Sequence, residues 1–224
     1  MNHRHTNADH EHEFEPQYGL PEILPKDEKI LWQGSPDWLS LARHAFHLNK
    51  LVLYFAVIIA IRVFVVLGDG LGVNAAIASA MWLGLLAFSA IAVLAMVAYF
   101  SARTTVYTIT DKRLVMRVGI VLTIAYNLPF KRIASAGMRT LTKNKGDIPV
   151  ALMPGDKIAY AHLWPHVRPW RFAKPEPMLR SIDDPKRVAD ILTKAWSNVV
   201  KVPGTSNMVS DTNMDTNMRK LSTA

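Results

Sequence analysis

From Leu51 to Phe100 the chain is almost continuously apolar, and Arg62 and Asp69 are the only charged side chains in that stretch. Leu48 to Leu67 matches the ~20 residues that a helix needs to cross ~30 Å of hydrocarbon. A second, uncharged run from Val73 to Phe100 is longer, and at ~1.5 Å per residue it spans with tilt or projects beyond a bilayer. The glycines and Asp69 between the two runs suit a tight turn without Lys or Arg. Arg43 and Lys50 precede the first run, and Arg103, Lys112, Arg113 and Arg117 follow the second. By the positive-inside rule these spans predict a transmembrane hairpin over 48–100 with both termini cytoplasmic. A soluble protein with two buried helices would need other apolar elements to cover them, and the chain has few. Ala76, Ala80 and Gly84 form a small-residue stripe suited to close packing on the first helix. Arg62 lies five residues from Leu67, near enough for its long side chain to snorkel to the interface rather than serve a ligand or proton.

After the hairpin the period becomes two. Apolar and polar residues alternate over Thr105–Thr110, Asp111 to Arg113 make a turn, and Leu114–Gly119 continues as a second strand. Further strands are expected over Ile120–Tyr126, Phe130–Ala136, Met138–Thr142 and Ile148–Met153, with turns at Gly146-Asp147 and Pro154-Gly155. From Asp184 to Val199 the spacing is helical: Val188, Ile191, Leu192, Ala195 and Val199 follow Asp183, Asp184 and Pro185, which suit a helix N-terminus. The expectation is an α+β membrane protein in which a two-helix hairpin precedes a small β domain capped by a C-terminal helix. Its parts are a disordered N-terminus (1–17), a cytoplasmic pre-membrane segment (18–47), the hairpin (48–100), the cytoplasmic β domain (101–200) and a disordered tail (201–224).

Charge sharpens this picture. Residues 1–47 carry 4 basic and 8 acidic side chains, whereas 101–200 carry 17 and 7, so the β domain, at +10, carries more than the whole net charge of +8. Held against a cytoplasmic leaflet, such a domain is attracted to anionic headgroups. Lys112, Arg113, Arg117, Lys131 and Arg132 are the candidate contacts. Nucleic acid also fits the charge, but membrane tethering and the lack of a recognition helix or stacking platform argue against it. The absence of cysteine excludes disulfides, thiolate metal sites and cysteine nucleophiles. No secretory signal is visible in the polar, acidic first 47 residues, so the first membrane helix serves as its own insertion signal.

Chemistry-bearing motifs are scarce. There is no Gly-rich phosphate loop, serine elbow or zinc spacing, and Asp111, Asp147 and Asp156 sit in turn contexts, so no enzyme is expected. His3, His5, His10 and His12 interleave with Asp9, Glu11 and Glu13 and could hold a divalent ion, but a short polar terminus buries little and reads as disorder. No metal or cofactor is assigned. More distinctive is Leu163–Trp170, with two Trp, two Pro and an Arg in eight residues. Its prolines bar helix and central strand, while Trp and Arg are typical of interface hot spots. The rings could equally complete the domain core or join an aromatic belt at the lipid surface.

YTITDKRLVMRVGIV and LPFKRIASA resemble bacterial pleckstrin-homology-like domains carried on membrane proteins, and DEKILWQGSPDW resembles the element these carry before their membrane helices. From Tyr18 to Trp196, with LWPHVRPW and PEPMLR most distinctive, the chain resembles the PuhB family of photosynthetic-complex assembly proteins from purple phototrophic bacteria. That resemblance implies a homodimeric factor that assists assembly of the reaction centre and core antenna in the inner, intracytoplasmic membrane. It favours a partner surface at Trp164, His166, Arg168, Trp170 and Arg171. In that setting His44 and His47, just before the first helix, are conceivable magnesium ligands for bacteriochlorophyll, though interfacial histidines are commoner. The alternatives are a general membrane-surface scaffold binding anionic lipid, or a pigment-handling protein or small enzyme.

Overall fold

The computed structural model describes residues 19–142, 144–155 and 158–200; the expectations for the N-terminal histidines, Asp156 and the tail fall outside these. The strand β1 (Ile30–Gly34) and the short helix α1 (Trp38–His44) precede two long helices, α2 (Leu48–Gly68) and α3 (Val73–Thr104). Then come β2 (Val106–Thr110), β3 (Arg113–Val118), β4 (Ile124–Pro129), β5 (Ile133–Ala136), β6 (Arg139–Thr142) and β7 (Lys145–Leu152). The short helix α4 (Tyr160–Leu163), strand β8 (Met178–Asp183) and helix α5 (Pro185–Val199) complete the described chain.

The hairpin helices follow the apolar runs, with α3 ending four residues later than the run predicted. Both are long and apolar enough to cross a membrane. Neither is a buried core helix: Leu53, Phe64, Met81, Trp82 and Phe88 are all exposed, and within α2 only Val66 is buried. On α3 the buried positions are Ala76, Ala87, Ala98, Ser101 and Ala102. The expected stripe is therefore only partly used. Ala76 packs, but a Cβ at Gly84 would meet nothing.

The β domain is two packed antiparallel sheets. In the first the order is β1-β2-β3-β4; in the second β7 pairs with β5, β6 and β8. Alternation buries Tyr107 and Ile109 of β2 and Leu114, Met116 and Val118 of β3 against Ile148, Val150, Leu179 and Ile182 of the second sheet. Val188, Leu192 and Ala195 of α5 close that core, and Trp196 donates its indole N–H to the Phe130 carbonyl. Asp184 caps α5 by accepting from the Arg187 amide, with Pro185 in the first turn, as the sequence predicted.

Several boundaries differ from expectation; among them, Phe130–Arg132 form a 3-10 turn ahead of β5 rather than strand, and β7 begins at Lys145 rather than Ile148. The β domain is not confined to 101–200, because β1 pairs with β2 and covers its outer edge. Residues 119–123 form a loop rather than the start of a strand: Gly119 has φ +122, and a Cβ there would lie 2.0 Å from the Leu122 carbonyl oxygen. Asp147 lies within β7, not in a turn, and is buried where it accepts the Ser181 amide.

Candidate partner and membrane surface

The segment from Leu163 to Phe172 is pinned along the second sheet. The His166 carbonyl accepts from the Met178 amide, Val167 bridges to Pro177, and the Arg168 amide donates to the Glu176 carbonyl. The Arg168 guanidinium donates to Glu176 at 2.8 Å, and Arg171 approaches the same carboxylate at 3.7 Å. A charge-assisted clamp of this kind fixes a loop that carries no ladder of its own.

Pinning leaves the aromatic rings outside. Trp164 is 50% exposed, Trp170 85% and Phe172 62%. Trp164 packs edge-on against Phe46, immediately before α2, while Trp170 and Phe172 meet edge-on and Tyr160 tilts against Phe172. Trp170 has φ +65, a left-handed conformation that a bulky residue adopts at a cost of ~1–3 kcal/mol. Beside it, a cleft of about 440 Å³ runs between Leu152–Gly155 and Arg171–Glu176.

His166 does not belong to that surface, contrary to the sequence expectation. Its ring is 1% exposed, with Nδ1 2.7 Å from the Tyr107 hydroxyl and Nε2 3.1 and 3.0 Å from the hydroxyls of Ser101 and Thr105. Tyr107 also accepts the Arg180 amide, so its hydroxyl donates to Nδ1 and the imidazole carries its proton on Nε2. Burial, aided by the nearby Arg180 charge, lowers the His166 pKa to about 3; burial also pushes the Tyr107 phenol up, against the opposing pull of Arg180. The imidazole joins the end of α3 to β2, while the His166 carbonyl holds β8 of the second sheet. Arg180 is itself buried and donates to the Pro165 carbonyl.

The basic candidates divide. Lys112 and Arg113 lie at the β2–β3 turn and Lys131 and Arg132 follow β4 nearby, with the Phe130 amide donating to the Lys112 carbonyl. That end is one strand, about 17 Å, from the end of α3. Arg113 is also held by Glu28 at 2.8 Å, whose side chain is 3% exposed. Only Arg117, paired with Val106, is at the α3 end. The five thus do not form one basic face beside the hairpin.

Among the titratable groups flanking α2, His44 directs Nδ1 to the Ser40 carbonyl at 3.0 Å. His47 is exposed, and partial burial with Lys50 and Arg180 lowers its pKa, favouring the neutral imidazole. Among the described residues no cluster of three His, Asp or Glu could hold a metal ion.

Sequence reasoning missed Phe46, Trp38, Tyr99, Phe172 and Glu176. Trp38 meets Tyr99 edge-on at 6.0 Å, tying α1 to α3. Aromatic residues flanking an apolar run are the signal that could have found the first three.

Residues 50–196 match the family model described as the bacterial PH domain. The chain is 35% identical over 190 residues to an uncharacterized 23.7 kDa protein in the puhA 5' region of Rhodobacter capsulatus, across 84% of this chain and 88% of that protein. A crystal structure of a DUF1696 family protein with a pleckstrin-homology domain from Shewanella loihica PV-4 is 14% identical, covering 41% of this chain and 71% of that one. Its TM-score of 0.28 is too low to bear on the site.

Proposed function

Because this chain belongs to the bacterial PH domain family and is PuhB-like, we propose that it is a binding, non-catalytic assembly factor for a photosynthetic reaction centre and its core antenna. Its α2–α3 hairpin spans the bacterial inner membrane twice, with both termini in the cytoplasm, and holds the β domain beside the helices of an incomplete complex. The ledge of Trp164, Arg168, Trp170 and Arg171, extended by Phe172, grips cytoplasmic parts of the partner polypeptides.

The observation that carries this reading is the exposure of Trp164 and Trp170 on a segment that Glu176 and β8 keep fixed. A rigid aromatic surface loses little conformational entropy on binding, and Trp and Arg dominate interface energetics. The relative encoded beside puhA supports a photosynthetic setting. A general anionic-lipid scaffold has less support, since four of the five basic candidates lie away from the hairpin.

In a strain lacking this protein, the near-infrared spectrum of membranes grown at low oxygen should lose reaction-centre and core-antenna bands while pigment synthesis continues. An unchanged spectrum would sink the assembly reading and favour the scaffold.

A further inference from the structure

The loop between β3 and β4 exposes three consecutive large apolar residues, Ile120 at 42%, Val121 at 88% and Leu122 at 82%. Soluble surfaces avoid such runs unless they serve a function. The loop is also shaped rather than slack. Gly119 at φ +122 folds beneath the Leu122 carbonyl, and Val118 pairs with Ile124 across its base, so the apolar apex is held outward.

Its location follows from register. β2 leaves the end of α3 and β3 returns antiparallel, with Arg117 beside Val106 and the end of β3 touching α3. The loop therefore continues back toward the hairpin. α3 has 32 residues against 21 in α2, so about eleven residues, ~16 Å, extend beyond the level at which α2 begins. The loop is a tight turn, so its backbone covers less of that distance than the ~10 Å that three extended residues would span, and the Val121 and Leu122 side chains add to its reach. The apex therefore lies on the hairpin side of the β domain, between the end of α3 and the level at which α2 begins. Arg117 lies at the base of the same loop.

We propose that Ile120, Val121 and Leu122 form an interfacial anchor that inserts among lipid headgroups and sets the β domain against the bilayer. The occupant is the lipid surface, because the loop's apex is wholly apolar and turns back from the end of α3 toward the apolar hairpin. This rests on the membrane reading of the hairpin, and the test separates the two.

The chain has no cysteine, so Val121→Cys, Lys112→Cys and Val57→Cys each give one labelling site. In full-length protein reconstituted into vesicles of zwitterionic and anionic lipid, nitroxide accessibility to oxygen and to a water-soluble nickel chelate is compared. The expected result is an oxygen-to-nickel ratio at position 121 severalfold above that at 112, with 57, midway along α2, higher still. If 121 matches 112 while 57 stays lipid-shielded, the anchor is wrong and the hairpin stands. Nickel access at 57 equal to that at 112 would overturn both. Shielding of 121 in native membranes but not in pure lipid vesicles would overturn the lipid anchor in favour of a protein contact.

Discussion

Replacing His166 with alanine should lower the apparent thermal midpoint of the detergent-solubilised protein by roughly 10 °C near neutrality, while the exposed variant His162→Ala leaves it unchanged. The imidazole is the hub of a buried polar cluster, and its loss strands the hydroxyls of Tyr107, Ser101 and Thr105 away from water. An unsatisfied buried group costs ~1–3 kcal/mol, and the vacated volume adds a cavity term. Together these amount to about 4 kcal/mol, at ~2–4 °C per kcal/mol for a chain of this size. An unshifted midpoint would mean that the cluster contributes nothing to stability.

The same residue gives a signed pH dependence. In the native state His166 stays neutral down to about pH 3, whereas the unfolded chain takes up a proton below its ordinary 6.5. Stability therefore falls as pH drops from 6.5 toward 3, by up to ~1.4 kcal/mol per unit, and gains nothing from this group above 6.5. A His166→Gln variant, which cannot titrate, should show a flatter midpoint-against-pH curve over that window.

Changing Trp164 and Trp170 to alanine together should reduce recovery of core subunits with the protein from solubilised membranes by at least about tenfold, on the scale of hot-spot truncations of ~2 kcal/mol or more. Both rings are half or more exposed, so the amount of protein in the membrane should be unchanged. Recovery equal to wild type would remove this ledge as the partner surface.

Local signals were legible in the sequence and long-range pairings were not. The hairpin and the β2–β3 pair stand out because period and composition are local. β1 is hidden: five residues find their partner across the whole hairpin, Gly34 pairing with Tyr107. β8 is obscured by Arg180 and Ser181, adjacent and both buried, with Ser181 at φ +52 breaking the alternation. Ile120–Leu122 looked like strand because apolar residues were equated with burial, and the turn at Gly119 overrides that. For Trp164 and Trp170 the sequence leaves core, lipid belt and partner surface open, and the fold leaves both rings exposed. His166 between them looked like surface because its partners are two hydroxyls a helical turn apart at the end of α3 and a phenol on β2.

One feature of α3 reaches beyond the site. The helix passes from the hairpin into the β domain without a joint: Ala98, Ser101 and Ala102 are buried, and Thr105 alone separates helix from strand. Each residue of an α-helix turns the chain by about 100°, so the bearing of the whole domain around the hairpin is indexed by α3's residue count. One residue added between Leu94 and Ala98 would swing the aromatic ledge about a quarter-turn around the hairpin axis. Length change in this helix is thus restricted to whole-turn steps such as the eleven-residue interval that separates Ala76, Ala87 and Ala98, and α3 acts as the compass of the molecule.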